Sequence, residues 1–422
     1  MAATVRGITL GRYSDSVDAK DDEVTLLDNK KIYLGTGNDL EIYHDGSNSR
    51  INDAGTGNLK LQVGGSDKLE VTSTGISVTG DISATGTIPA SLCTNNLLIN
   101  GAMLVYQRNA GAAYTGATAY VLDRWAVHHN GADENPTVTR HDIAAADATD
   151  DPAWDAGFRH SFHIQNGNQT STDGGDYMGI RHHIEARAIR NCGWDYKSSS
   201  SYITLSFCVK SSVAQNFYGY LRSQDGTAQR FAFQTGSLTA NTWTKVTTNI
   251  PGNSNISIDD NKEAGLSLFI HAYWGTNHTD SGVSLETWGA YSAGTRTPDY
   301  GADTWWTTDD ATFEVTGLQL ELGQVANDFK HETEEETLYK CQRYYWELER
   351  VILAHSYNAA TKAVQIFHPV VMRTTPTETI TAGVGSFTSY QEHSRFYSAY
   401  VSSAHDAVSA VYLSKVQFDA EL

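Results

Sequence analysis

The chain is short of basic side chains. Only 30 Lys and Arg stand against 49 Asp and Glu in 422 residues, a formal net charge of −19. An acidic surface repels phosphate backbones and anionic headgroups, and affinity for nucleic acid rests mostly on Lys and Arg neutralising phosphate, so nucleic-acid and membrane-surface partners are excluded. No stretch approaches the roughly 18 to 20 consecutive apolar residues that span a bilayer, which argues against membrane insertion. The start, Met1 to Lys20, lacks a basic region followed by an apolar one, and no secretory signal is expected. Cysteine is also scarce. Cys93, Cys192, Cys208 and Cys341 show no C-x-x-C spacing, so neither a zinc site nor a redox pair is indicated, and reduced, buried thiols are expected.

Catalytic spacings are missing as well. There is no His-Glu-x-x-His, no P-loop, no Rossmann glycine pattern and no Gly-x-Ser-x-Gly elbow, so no catalytic residue, cofactor or metal ligand is assigned and the chain reads as non-enzymatic. The pairs His128-His129 and His182-His183 are adjacent; on a strand their side chains point to opposite faces and cannot share a metal. A metal held by symmetry-related copies is the competing reading.

What is present is β-texture. Hydrophobic residues make up 40% of the chain and aromatics 10%, enough for large cores, and 36 Gly against 7 Pro supply turns. From Val24 to Thr87, Leu40 and Ile42, then Leu59, Leu61 and Val63, Leu69 and Val71, and Ile76 and Val78 alternate with period two. Gly-Thr-Gly-Asn occurs at Gly35 to Asn38 and again at Gly55 to Asn58, each time before such a strand. Strands this short have too little apolar area to stand alone. Two readings answer that need: repeat units wound together from three chains, or an ordinary small β-domain of a monomer.

Between Cys93 and Leu322 the alternation continues. In Tyr202 to Lys210, Ile203, Leu205, Phe207 and Val209 share one face; further strands are expected at Phe217 to Arg222, Arg230 to Gln234, Thr242 to Asn249, Leu266 to Trp274 and Thr312 to Leu322. Many short strands with little helical periodicity predict a two-sheet sandwich of jelly-roll type. One helix is expected, from about Glu334 to Glu349: Thr333 and Glu336 form a capping box, and Leu338, Cys341, Tyr345 and Leu348 make an apolar stripe. Val351 to Tyr357, Ala363 to Val371 and Ala410 to Phe418 read as strands of a final β-domain.

Several phrases in this chain resemble those of a known family. Asp39-Leu40-Glu41-Ile42-Tyr43-His44-Asp45-Gly46-Ser47-Asn48-Ser49 looks like a phrase of stem regions in structural proteins of tailed bacteriophages, notably of marine and cyanobacterial hosts. Asn96-Leu97-Leu98-Ile99-Asn100-Gly101, Gln107-Arg108 and Leu122-Asp123-Arg124-Trp125 are similar to the opening of a tail-fibre domain. Leu318-Gln319-Leu320-Glu321-Leu322-Gly323, Phe329 and Cys341-Gln342-Arg343-Tyr344-Tyr345 are similar to its close, and His368 to Thr377 with Phe418-Asp419-Ala420-Glu421-Leu422 are like fibre C-termini.

The resemblance implies a homotrimeric fibre of the virion, on tail or capsid and assembled in the host cytoplasm. It would join other virion proteins through its N-terminus and bind a host surface glycan or receptor. The expected layout is an attachment arm over 1–23, an intertwined β-stem over 24–92, a carbohydrate-binding-like sandwich over 93–330, a connecting helix over 331–350 and a β tip over 351–422.

Aromatic faces stack on the apolar side of sugar rings, so exposed Trp and Tyr in polar loops are the natural glycan readers. Trp274, Trp288, Tyr291, Tyr300, Trp305 and Trp306 are the candidates in the sandwich, and Tyr397, among Phe387, Tyr390, His393, Phe396 and Tyr400, is the candidate in the tip. The competing reading puts Trp274 and Trp288 in the core, Trp305-Trp306 over the sandwich edge and the tip aromatics into strand packing. Asp309-Asp310 and Asp303 lie beside Trp305-Trp306, and two such acids cleave glycans in depolymerases, so a degrading fibre is the alternative function. A purely structural spacer is the other.

Overall fold

The computed structural model describes residues 17–20, 23–73, 75–78, 96–108, 114–116, 118–144, 151–301, 304–356, 362–384, 386–402 and 409–422. Most of the expected arm, Cys93 and Asp303 lie outside them. The fold is mainly β, in two compact units, Met1–Ile88 and Pro89–Leu422.

The first unit holds an antiparallel pair, Val17–Lys20 with Glu23–Leu26, and two three-stranded antiparallel meanders. Each Gly-Thr-Gly-Asn turn precedes a strand of one meander. Lys31–Leu34, Leu40–His44 and Ser49–Asp53 form the first; Leu59–Val63, Ser66–Thr72 and Gly75–Val78 form the second. The register puts Ile32, Ile42 and Ile51 in one cross-strand row, and Leu59, Val71 and Ile76 in another. The opposite faces are mostly polar, with Lys31 bonded to Glu41 at 2.8 Å and Lys60 to Asp67 at 2.6 Å. The strands of each meander pair with one another within the chain, while the apolar rows stay uncovered: Ile32 is 46% exposed, Ile42 37% and Ile51 57%.

The second unit contains the expected two-sheet sandwich. One sheet has seven antiparallel strands in the order Ala119–Leu122, Trp125–Asn130, Tyr177–Glu185, Ala264–Trp274, Asn216–Ser223, Gln229–Ser237 and Trp288–Ala290. The other has six: Thr244–Pro251, Tyr202–Ser211, Thr312–Leu322, His160–Gln165, Thr137–Asp142 and Tyr114–Thr115. The chain crosses repeatedly between the sheets, as a jelly roll does. Ile203, Leu205, Phe207 and Val209 enter the main core with Trp125, Phe162, Phe217, Phe231 and Phe313. The other face of that strand is covered too, Cys208 packing with Phe158 and Trp243. Cys192, Cys208 and Cys341 are free thiols.

The helix starts where expected, Thr333 Oγ1 accepting from the Glu336 amide and Glu336 Oε2 from the Thr333 amide, but it spans Glu334–Cys341 rather than reaching residue 349. Tertiary pairing overrides the apolar stripe: Tyr345–Ser356 is a strand against Ser409–Asp419, joined on the far side by Thr377–Val384. A second three-stranded sheet, Lys362–Phe367, Phe396–Ser402 and Ser386–Glu392, completes the terminal part.

This terminal part is tied to the sandwich by buried charge. Arg124 pairs with Glu421, Arg108 reaches Glu421 and Asp419 at 3.3 and 3.4 Å, and Arg343 bonds Glu185 at 2.8 and 2.9 Å. Arg124 and Arg108 also lie over the Tyr344 and Tyr345 rings, 3.5 and 3.8 Å from their centroids.

Candidate functional site

The seven-stranded sheet has two unlike faces. On Tyr177–Glu185, Met178, Ile180, His182 and Ile184 point into the core, so Tyr177, Gly179, Arg181 and His183 stand on the outer face. The register extends this face across the neighbours. His128 lies opposite Gly179, which lies opposite His271; Arg181 lies opposite Phe269, and Phe269 opposite Tyr220; His183 lies opposite Ser267, and Ser267 opposite Arg222. Histidines 128 and 183 therefore face outward while each adjacent histidine turns away, as the adjacency predicts.

A β-bulge decides where Trp274 goes. Strict alternation from Leu266, Leu268 and Ile270 would carry it into the core. The register slips between Met178 and Gly179, which pair with Tyr273 and His271, so Ala272 is the extra residue and Trp274 returns to the outer face opposite Tyr177. There it stacks on His271, ring centroids 4.0 Å apart, and lies 4.7 Å from the Tyr177 ring.

Gly179 makes the centre of this face possible. A Cβ there would come within 2.4 Å of the Ile270 carbonyl and 2.6 Å of the His271 ring. Without one, His128 Nδ1 and His271 Nε2 meet at 2.9 Å across the intervening strand. The floor is aromatic, Tyr220 and Phe269 being stacked at 4.6 Å.

The loop after Trp274 folds over one end. Asp280 donates its amide to Thr297 and Arg296 donates to the His278 carbonyl, which sets Arg296 over the Trp274 ring at 4.5 Å with Nη1 2.9 Å from His278 Nδ1. Tyr291, held by its amide on the Ala228 carbonyl, lies against Arg222 at 3.8 Å, and its hydroxyl is 3.3 Å from Arg296 Nε. Tyr177, Tyr291, His128, Arg181, His183 and Arg222 are partly exposed; Trp274, His271 and Tyr220 are buried beneath them.

Burial, then the nearby Arg181, pushes His128 and His183 down to about 3, and burial drives His271 well below the ordinary histidine range. At neutral pH these imidazoles carry no charge. The positive charge of the face belongs to its arginines.

Of the aromatics singled out from sequence, Trp274 and Tyr291 meet on this face and Tyr300 borders it. The Tyr300 hydroxyl donates to the His271 carbonyl at 2.7 Å, and its ring is buried. The others are not on a surface loop. Trp305 and Trp306 are fully buried because the loop carrying them plugs the sandwich end: Asn166 Nδ2 holds both their carbonyls, Trp305 donates to the Thr312 carbonyl, and Trp306 donates to Ser171 and stacks on Tyr273. Trp288 packs on Phe231 and donates to the Pro251 carbonyl at 2.6 Å. Tyr397 is buried against Phe418 in the terminal core. Asp309 and Asp310 are exposed beside indoles that are turned away from them.

Arg181, Arg222, His128, Tyr177 and Arg296 were not among the residues expected from the sequence. A signal was there in the Tyr-x-Gly-x-Arg-x-His alternation of 177–183, whose apolar partners occupy the even positions.

No family model matches the chain, and no curated protein matches it. Among solved structures it is similar to the CBM22-1-GH10 modules of a Clostridium thermocellum endo-1,4-beta-D-xylanase complexed with xylohexaose, at 10% identity over 53% of this chain and 30% of that chain, TM-score 0.24. It is also similar to a putative sugar binding protein from Bacteroides thetaiotaomicron, at 12% over 54% of this chain and 100% of that one, TM-score 0.27. A third is the tripod from the baseplate of bacteriophage Tuc2009, at 12% over 57% and 60%, TM-score 0.22. At such scores no residue of this chain takes a role from them.

Proposed function

We propose that this chain is a virion attachment fibre that binds host-surface glycan, without cleaving it, through the outer face of the seven-stranded sheet. The observation that carries the binding role is the juxtaposition of partly exposed Tyr177 and Tyr291 rings with polar side chains on one sheet face. Aromatic planes take the apolar side of a pyranose while imidazole and guanidinium groups take its hydroxyls. The virion role is supported by the fibre-like phrases and by the uncovered apolar rows of the first unit, which suit a homotrimeric stem joined to other virion proteins at its N-terminal end.

A glycan array probed with the full chain tests the binding role. Retention on at least one saccharide is expected, with Tyr177→Ala and Tyr291→Ala each losing about tenfold, as removal of one aromatic contact implies. An array bare of signal, or variants that bind like the parent, would sink it. Released oligosaccharide would replace it with the degrading fibre. Native mass measurement should give three times the 46.1 kDa chain, and a monomer would remove the trimer.

A further inference from the structure

Arg181 and Arg222 find no hydrogen-bond or ion-pair partner, Arg222 lying only on the Tyr291 ring, whereas most of the described arginines are paired. Arg50 pairs with Asp45, Arg187 with Asp260, Arg343 with Glu185 and Arg373 with Glu263, while Arg140, Arg159 and Arg190 donate to backbone carbonyls. Among the described residues, Arg181 and Arg222 make neither a hydrogen bond nor an ion pair. Their Nε atoms, and that of Arg230 on the next strand, are shut off from the surface with no acceptor. The outer parts of Arg181 and Arg222 are partly exposed, but an Nε–H shut away from both water and an acceptor still carries an uncompensated desolvation cost. With 49 carboxylates in the sequence, leaving this face without one is not a shortage of acids.

The geometry fits a shared ligand. Arg181 and Arg222 stand on one face, separated by the Ala264–Trp274 strand, so their strands are two spacings, about 10 Å, apart. On the intervening strand Phe269 lies opposite Arg181, Tyr220 sits two residues before Arg222, and Arg296, which has His278, Tyr291 and Trp274 as neighbours but no carboxylate, closes one end. Each guanidinium presents planar paired donors, the arrangement that matches a carboxylate or sulfate in bidentate fashion. The neutral histidines add hydrogen-bonding groups without charge.

We propose that the glycan recognised here is acidic, its carboxylate or sulfate groups taken by Arg181 and Arg222 while a sugar ring lies on Tyr177 or Tyr291. This rests on the glycan-binding reading of the same face. Phosphate backbones are the competing polyanion. A protein of net charge −19 repels them over long range, and three arginines set among aromatic rings are a local site rather than a basic track.

The test uses the full chain on an array of neutral, uronate-bearing and sulfated saccharides, with single-stranded DNA as a further spot. Retention on an acidic class is expected, the uronate and sulfate arms telling the two anions apart. Arg181→Gln and Arg222→Gln should each weaken it by about tenfold or more, the loss expected for a charge-assisted hydrogen bond. Arg181→Lys should keep part of the affinity, and unchanged melting temperatures would show that the variants fold. Retention on neutral sugars alone, or Gln variants that bind like the parent, overturns the acidic assignment and leaves the glycan-binding reading standing. Equal retention of DNA overturns it in favour of phosphate. Silence of every saccharide overturns both.

Discussion

At Glu421 one carboxylate meets two arginines, Arg124 and Arg108, whose guanidiniums also cover Tyr344 and Tyr345. Arg124 is 1% exposed, so removing its partner strands a buried charge. Glu421→Ala should therefore cost about 3 to 5 kcal/mol in urea unfolding; a loss below about 1 kcal/mol, the level of an exposed pair, would contradict the burial argument. Gly179 allows a second residue-scale prediction. Gly179→Ala drives a methyl into the Ile270 carbonyl and the His271 ring, so the strands must part, at about 1 to 3 kcal/mol. The His128–His271 hydrogen bond should go with it, read as changed imidazole NMR shifts. The motif residues Gln107, Arg108, Asp123, Arg124, Tyr345 and Glu421 were legible in the sequence as separate phrases. Their meeting was not, because local pattern says nothing about contacts some 300 positions apart, such as Arg124 with Glu421.

Elements were read well where alternation was regular. Thr312–Leu322 forms as expected and Tyr202–Ser211 to within one residue, since apolar period-two runs of β-formers admit little else. They were misread where a longer-range partner wins. Tyr345 and Leu348 fit a helical stripe, yet an antiparallel partner eleven residues long takes them into a strand. Which side Trp274 takes was not legible in the alternation, because one extra residue in a bulge reverses it and nothing near Ala272 announces it. In the first unit the apolar row Ile32, Ile42, Ile51 lies on a sheet whose other face carries Lys31, Glu41, Arg50 and Asn52 with Tyr33 and Tyr43. In the proposed trimer, Ile42→Asp should leave the strands paired but abolish assembly, seen as a drop from trimer to monomer mass with far-ultraviolet circular dichroism largely kept. A trimer unaffected by this change would place the contacts elsewhere.

For the whole molecule, acid is the informative stress. His182 and His271 are 1% and 0% exposed, and burial holds both well below the 6.5 of an open imidazole; His128 and His183 sit at about 3. Below pH 6.5 the unfolded chain takes up protons that the folded chain refuses, so stability falls as pH drops and is restored as pH rises. Above about pH 7.5 these groups contribute no slope. Each fully buried imidazole contributes up to about 1.4 kcal/mol per pH unit in that window. The melting temperature should decline steadily from about pH 7 to about pH 5, where ordinary carboxylates are still mostly ionised. A flat profile would mean that the histidines are solvated. The net charge of −19 came from composition alone, yet the cationic face it conceals did not, because totals average over surfaces.

The pleat of the Tyr177–Glu185 strand divides its residues into two independent alphabets. Positions 178, 180, 182 and 184 spell the core, and positions 177, 181 and 183 spell the outer face. Of the latter positions Arg181 is bound to no neighbour by hydrogen bond or ion pair, so it can change with the least cost to the scaffold, whereas Tyr177 and His183 are held by Trp274 and Ser267. Such a layout lets the chemistry of the outer face change one codon at a time, while the interleaved letters keep the scaffold constant. A combinatorial library built on those few codons would sample that freedom directly.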